Sequence, residues 1–310
     1  MASLIECVPN FSEGRRPEVV ERIAGAIAGV AGVAVLDQSS DESHNRSVVT
    51  LAGAPKAVAA GAEEGVRVAL ELIDMERHRG AHPRIGAVDV VPFVPLGDTP
   101  MSEAVDVARA FAEQIAERFE LPVYLYGEAA LHSARRSLAE LRRGQYEALR
   151  AAIAEDPERA PDFGPARLHP TGGAVAVGAR EPLIAFNINL QTDNVAVAAR
   201  IARAIRESSG GMPGVQAIGI LLGRRGGGRT AQVSTNLVDW RRTGIPAVVA
   251  EVRRRARLVG IDIERCELIG LAPAAALVEV DGEALGIPDI HERAIEVQLA
   301  RVPDGSVSLD

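Results

Sequence analysis

The stretch RHRGAHPRIGAVDVVPF, residues 77 to 93, sets His78 and His82 four residues apart among Arg77, Arg79 and Arg84. Two imidazoles at that spacing share one face of a helix, which is one way to hold zinc. A single imidazole can instead move protons near neutral pH, its unperturbed pKa being about 6.5. Gly80 and Pro83 oppose a helix here, no cysteine lies close, and a third ligand would have to come from Asp89 or a distant loop, so no metal is expected. Two solvated loop histidines are the plainer alternative. Position favours a working histidine, because the loop runs straight into the most apolar strand pattern of the first half and so places His82 and Arg84 at the rim of a groove.

A second polar cluster, LDQSSDESHNRSVVT at residues 36 to 50, offers Asp37, Asp41, His44, Asn45 and Arg46 between two β-branched runs. Its bland reading is a hairpin loop rich in turn formers. RRGGGR, residues 224 to 229, lacks the strand-to-helix context of a nucleotide loop and reads as a hairpin tip. Gly-x-Ser-x-Gly, His-Glu-x-x-His and Cys-x-x-Cys are all absent, which removes the commonest serine hydrolase and metalloprotease signatures.

The elements that must position these residues follow from periodicity. LIECVPN reads as a strand, PEVVERIAGAIAGV as a helix with Pro17 in its first turn, VAVLDQS and RSVVTLAG as strands, APKAVAAGAEEGVRVALELI as a helix and AVDVVPFVPL as a strand. The order is βαββαβ. From Pro182 the same order recurs through PLIAFNINL, TDNVAVAARIARAIRESSG, VQAIGILLG, TAQVSTNLV, PAVVAEVRRRARLVG and CELIGLAP. The expected fold is therefore α+β, a tandem duplication of two ferredoxin-like units, residues 1–178 and 179–310, each with two helices on one face of a four-stranded antiparallel sheet. The bare sheet faces would be buried against each other or against a second subunit, with a shared groove and a homodimer as the consequence. Residues 101–160 read as an insertion of helix, strand and helix, and the Pro/Gly-rich segment at about 155–182 as a linker.

Composition restricts what the groove could take. Of 310 residues, 47% are apolar and 25% charged, enough for a sizeable core. Aromatics are only 3% and acidic residues outnumber basic ones 42 to 34, which argues against a nucleic-acid partner and for a small molecule held by a local basic pocket. Two cysteines, Cys7 and Cys266, and no run of 18 apolar residues point to a reducing, cytoplasmic setting away from membranes.

CVPNFSEGR, HNRSV, HRGAHPRIGAVDVVPFVP, PVYLYGEAA, LRRGQYEAL, APDFGP, LIAFNINL, QVSTNLVD and CELIGLAP occur in an order that resembles the formiminotransferase family from about Leu4 to about Pro273. The resemblance implies transfer of a formimino group from N-formimino-L-glutamate to N5 of tetrahydrofolate, as in histidine breakdown, with the folate as co-substrate. It implies that His82, in the HPRIGAVDV motif, is the catalytic histidine. It also implies that folate is held by the segment after DFGP, namely Gly164, Pro165, Ala166, Arg167, Leu168, His169, Pro170, Thr171, Gly172 and Gly173. Two positions depart from the mammalian pattern: Gly172 stands where a Trp is found, and Ser39 where an Asp is found, with Asp41 close by.

The chemistry is amidine transfer between amines, in which the attacking amine must lose a proton and the departing amine must gain one. His82 could serve both steps. Asp37 or Asp41 would favour the amidinium charge. Arg46, Arg84 and Arg180 are the candidates for holding substrate carboxylates, with Asn10 and Asn187 completing the substrate contacts from strand ends. Formyl in place of formimino transfer is a close alternative, and a non-catalytic folate or amino-acid sensor a more distant one.

Overall fold

A computed structural model describes residues 3–223 and 227–303, and the chain divides into two compact units at Glu181/Pro182. Residues 224–226, half of the RRGGGR tip, lie outside the described residues. None of the described helices is long and apolar enough to cross a membrane.

The first unit contains β1 (Leu4–Cys7), β2 (Asn10–Phe11), α1 (Pro17–Ala28), β3 (Val33–Asp41), β4 (Arg46–Gly53), α2 (Pro55–Leu72), β5 (Val88–Leu96), α3 (Met101–Phe119), β6 (Val123–Gly127), α4 (Leu138–Leu141), α5 (Gln145–Ala152) and β7 (Val175–Ala179). Its sheet runs β3, β4, then β1 with β2, then β5, β7 and β6. β1 and β2 are one strand path interrupted at Val8–Pro9. Pro9 has no N–H to give the ladder, yet its carbonyl still accepts from the Val49 amide at 3.2 Å. Pairings up to β5 are antiparallel, whereas β5, β7 and β6 run parallel.

That parallel extension departs from the four strands anticipated. The segment around residue 175 is a buried strand, because Val175, Ala176, Val177 and Ala179 are apolar on both faces and have no water-facing side to lose. SLAELRRGQYEALRAAI likewise forms two helices instead of one. Gly144, at φ 78°, adopts the left-handed conformation that breaks α4 from α5.

α1, α2 and α3 cover one face of the sheet, burying Ile23, Ile27, Val66, Phe93 and Phe111 in one core. α1 starts at Pro17, whose missing N–H costs nothing at a helix N-terminus. Its apolar positions 19, 20, 23, 24 and 27 make a single stripe, and each Ile buried there contributes about 1.5–3 kcal/mol. On the opposite face, Leu141, Leu149 and Ile153 pack over Val90, Tyr124, Tyr126 and Ala176. The apolar face of β5 is thus covered locally by the α4 and α5 segment.

The second unit contains β8 (Ile184–Leu190), α6 (Val195–Ile205), β9 (Val215–Gly223), β10 (Arg229–Leu237), α7 (Ile245–Arg257), β11 (Ile263–Ile269), α8 (Ala274–Leu277), α9 (Gly282–Leu285) and α10 (Ile295–Ala300). Its antiparallel sheet runs β11, β8, β10, β9. Ile184, Phe186, Ile188 and Leu190 alternate into the core, while Asn187 and Asn189 take the other face. There the Gln232 amide donates to Asn189 Oδ1 (2.8 Å) and Asn189 donates to Glu267 Oε1 (3.2 Å), so this face carries a buried polar ladder. The last three helices were not foreseen.

Candidate active site

The loop between α2 and β5 is not helical, as Gly80 and Pro83 require. It is pinned at several points: the Met75 amide donates to the Thr171 carbonyl, Ala81 to Ser43, Ile85 to Asp89 Oδ1 and Ala87 to Gly172. Gly80 allows the chain to pass against the hairpin tip, since a Cβ there would lie 2.2 Å from the His44 carbonyl oxygen. Asn45, in the left-handed conformation at φ 50°, clamps the tip by accepting from the Gly14 amide (3.0 Å) and donating to the Arg79 carbonyl (3.0 Å).

The two histidines of the opening motif have different surroundings. His78 is buried, with Nε2 2.9 Å from the Asn45 carbonyl and Nδ1 accepting from Arg84 Nε at 3.2 Å. Both ring nitrogens are engaged, so His78 braces the loop. His82 Nδ1 lies 2.8 Å from the Pro83 carbonyl, which can only accept, and this fixes the proton on Nδ1. Nε2 is then a lone-pair acceptor, contacted by Arg46 Nη1 at 3.2 Å. Burial, followed by the charges of Arg46, Arg142 and His44, holds the His82 pKa well below its ordinary value, so the ring is neutral at pH 7.

Around His82 stands a compact set of charges. Arg46 opens β4, opposite Asp41 in the β3 ladder. Burial and the neighbouring Arg142 guanidinium bring its pKa down to about 10, against the opposing pull of Asp89 and Asp41. Arg142, from the turn after α4, pairs with the Asp89 carboxylate. His44 sits in the turn between β3 and β4, its Nδ1 3.3 Å from Asp41 Oδ1 and its ring edge-to-face with His82, centroids 5.9 Å apart. Burial alone would raise the Asp41 pKa, but the hydrogen bonds from His44 outweigh it and lower the value. Three buried nitrogens here make no hydrogen bond: Arg46 Nε, Arg142 Nε and His44 Nε2. Buried donors and acceptors left unmade are costly, and their gathering at one place is what a polar ligand would relieve.

The other anticipated residues fall in varied places. Arg84 gives its donors to His78, to Gln145 Oε1 (2.9 Å) and to both Glu147 oxygens (2.7 and 3.0 Å). Asp37 lies on β3 opposite Thr50, after a bulge at Val35. Arg180 leaves β7 at the end away from Gly173, seven residues or roughly 20 Å along the strand direction. Asn187 is buried in β8 of the second unit.

The Gly164 to Gly173 segment meets the His82 loop directly. Gly173 bridges to Gly86, and the Ala174 amide donates to the Ile85 carbonyl. A Cβ on Gly86 would lie 1.9 Å from the Ala174 carbonyl oxygen, so only glycine permits this junction. A Cβ on Gly172 would lie 2.2 Å from Leu70 Cδ2 and 2.9 Å from His169 Nδ1, so a larger side chain needs both to move. Arg167, Leu168, His169 and Pro170 line a cleft of about 410 Å³ with Arg118, Phe119 and Glu120.

Among the described residues, no group of three or more His, Cys, Asp or Glu is placed to hold a metal. Neither His44 nor Arg142 has a role legible from its residue type and spacing. The only signals were the motifs HNRSV and LRRGQYEAL that contain them.

Residues 4–180 match the formiminotransferase domain, N-terminal subdomain, and residues 185–283 the formiminotransferase domain. The chain is 42% identical to a glutamate formimidoyltransferase of Streptococcus pyogenes, over 96% of this chain and 99% of that one. It is 44% identical to another from Thermoplasma acidophilum, over 90% and 91%. A formimidoyltransferase-cyclodeaminase of Sus scrofa is 46% identical over 90% of this chain, which spans about half (52%) of that longer protein. With both domains matched and identity above 40% along nearly its whole length, the chain belongs to the formiminotransferase family.

Proposed function

We propose that this chain is a glutamate formimidoyltransferase that moves the formimino group of N-formimino-L-glutamate to N5 of tetrahydrofolate. The observation that carries the reading beyond family membership is a neutral His82, its tautomer set by Pro83, presenting Nε2 within a cationic pocket. A ring already neutral at pH 7 can take the proton of the attacking amine without first losing one of its own. Arg46 occupies Nε2 now, so the incoming amine replaces it, which frees the Arg46 guanidinium for a substrate carboxylate. Proton transfer of this kind contributes about 10²- to 10⁴-fold, and alignment of the two substrates supplies much of the rest.

The same reading assigns the remaining residues. Gly164 to Gly173 contributes the folate-binding wall, supported by its junction with the His82 loop. Arg180, which hydrogen-bonds Tyr126 on the side where Arg142 also acts, stays a candidate for a substrate carboxylate. Arg84 is reassigned from ligand to scaffold, because its donors are engaged inside the unit. Asn10, whose Oδ1 is buried without a partner, remains a substrate contact, and Asp37 the carboxylate facing amidinium charge. We also infer two tandem ferredoxin-like subdomains. Support comes from the strand order shared by β5, β1, β4, β3 and by β11, β8, β10, β9.

The deciding experiment gives the purified protein tetrahydrofolate with formiminoglutamate and, separately, with formylglutamate. Formation of 5-formiminotetrahydrofolate only with the first donor is the expected result. Transfer from formylglutamate alone would replace formimino by formyl transfer, and transfer from neither, with both ligands bound, would favour the sensor.

A further inference from the structure

Amidine transfer needs a base and an acid, and the geometry points to a second histidine for the acid: we propose that His44, held by Asp41, delivers the proton to the departing glutamate nitrogen while His82 removes the proton from the attacking amine. This deepens the proposed function and rests on it. Two independent observations support it. His44 is only 8% exposed, and its Nε2 is buried with no hydrogen-bond partner, although a buried imidazole nitrogen normally finds one. Its other nitrogen is 3.3 Å from Asp41 Oδ1, which also accepts the His44 backbone amide at 2.6 Å, so one carboxylate oxygen anchors both the ring and the turn that carries it. The result is an Asp-anchored imidazole directing its unfilled nitrogen into the cluster that holds His82, the two ring centroids 5.9 Å apart.

The proton count closes. The N5 lone pair forms the new C–N bond to the formimino carbon, whose amidinium π pair moves onto the terminal nitrogen, leaving N5 with its proton and a positive charge. His82 Nε2 takes that proton. His44 gives its Nε2 proton to the glutamate nitrogen, the C–N bond to that nitrogen breaks with its electron pair going to glutamate, and the amidinium re-forms on N5. His82 now carries the proton that His44 lost, and its return to His44 resets the pair. The Asp41 carboxylate keeps the Nδ1 proton of His44 throughout, in the manner of an aspartate that orients a catalytic imidazole. The other charged groups around the two rings are Arg46 from β4, Asp89 from β5 and Arg142 after α4. The two arginines act against protonation of His82, which suits the base.

The test is His44→Gln in a protein whose wild type transfers formimino groups, followed as kcat, KM for both substrates and kcat against pH. The expected result is a loss in kcat of about 10²-fold or more, KM values within about threefold, and disappearance of the basic limb of the pH profile. A kcat within threefold of wild type, a loss carried by KM, or a retained basic limb would overturn the proposal while leaving the transferase reading intact. Asp41→Asn keeps the ring and removes its anchor. It should lower kcat at least tenfold at unchanged thermal stability, and an unchanged kcat would overturn the proposal even if His44→Gln failed to fold.

Discussion

Replacing Arg84 with Ala should destabilise the first unit and leave folate affinity nearly unchanged. The change deletes the Nε donation to His78 Nδ1 (3.2 Å), the donation to Gln145 (2.9 Å) and the paired donations to Glu147 (2.7 and 3.0 Å). The Glu147 side chain is 61% exposed, so its share is that of a surface pair, about 1 kcal/mol at most. His78 is the costlier loss, because its buried Nδ1 is left without a donor, about 1–3 kcal/mol. Lost packing of the arginine stem adds about 1 kcal/mol. A total near 2–5 kcal/mol lowers the melting temperature of a unit this size by roughly 5–20 °C. Thermal melts, with titration of mono- and polyglutamyl folate into the same sample, check it. A His78→Ala, Arg84→Ala double-mutant cycle should show strong coupling, since the two side chains touch. Unchanged stability with selective weakening of the polyglutamyl folate would refute the reasoning and return Arg84 to the ligand.

Among the other predictions, His82→Ala should lower kcat by about 10²-fold or more, while His78→Ala acts mainly on stability, as rate assays and melts of both will show. The acid limb of kcat/KM should lie below the ordinary histidine value of about 6.5, because the group must be neutral to work and its pKa is held down. Arg142→Gln removes one of the charges responsible, so the limb should move to higher pH. The same depressed pKa means that the unfolded chain binds a proton the folded chain refuses, so stability contributed by His82 is present above pH 6.5 and lost as the pH falls below it. Gly86→Ala would drive a Cβ to within 1.9 Å of the Ala174 oxygen and should cost both stability and folate affinity, measured by melting and binding. Dialysis against a chelator should leave activity unchanged.

How far the sequence reveals this arrangement depends on the range of the interactions. The helices α1, α2, α6 and α7 and the strands between them were readable because each carries its own apolar period over a dozen or so residues. β7 was hidden because the prolines and glycines around it pointed to a linker, whereas the strand is defined by partners some 85 and 50 residues upstream, in β5 and β6. His82 stands out in the sequence through its motif and its approach to β5. The contacts of Arg84, equally close to that motif, could not be read locally because Glu147 and Gln145 lie more than 60 positions away in sequence.

His44 and Arg142 become conspicuous only in three dimensions. Nothing local separates Asp41 and His44 from turn-forming neighbours such as Ser43 and Asn45, and the helical pattern of LRRGQYEAL gives no reason to single out Arg142. Their meaning comes from convergence. The β3–β4 turn brings His44 against His82, and the α4–α5 turn brings Arg142 to Asp89 across 53 residues. Glycines at 14, 80 and 86 make those approaches sterically possible, since a Cβ at each would meet backbone oxygen within 2.4 Å. The family motifs therefore mix two kinds of residue, some poised to meet substrate and others that hold loops together. Unmade polar contacts separate them: His78 and Arg84 have theirs filled, whereas His44, Arg46 and Arg142 each keep a buried nitrogen without a hydrogen-bond partner beside His82.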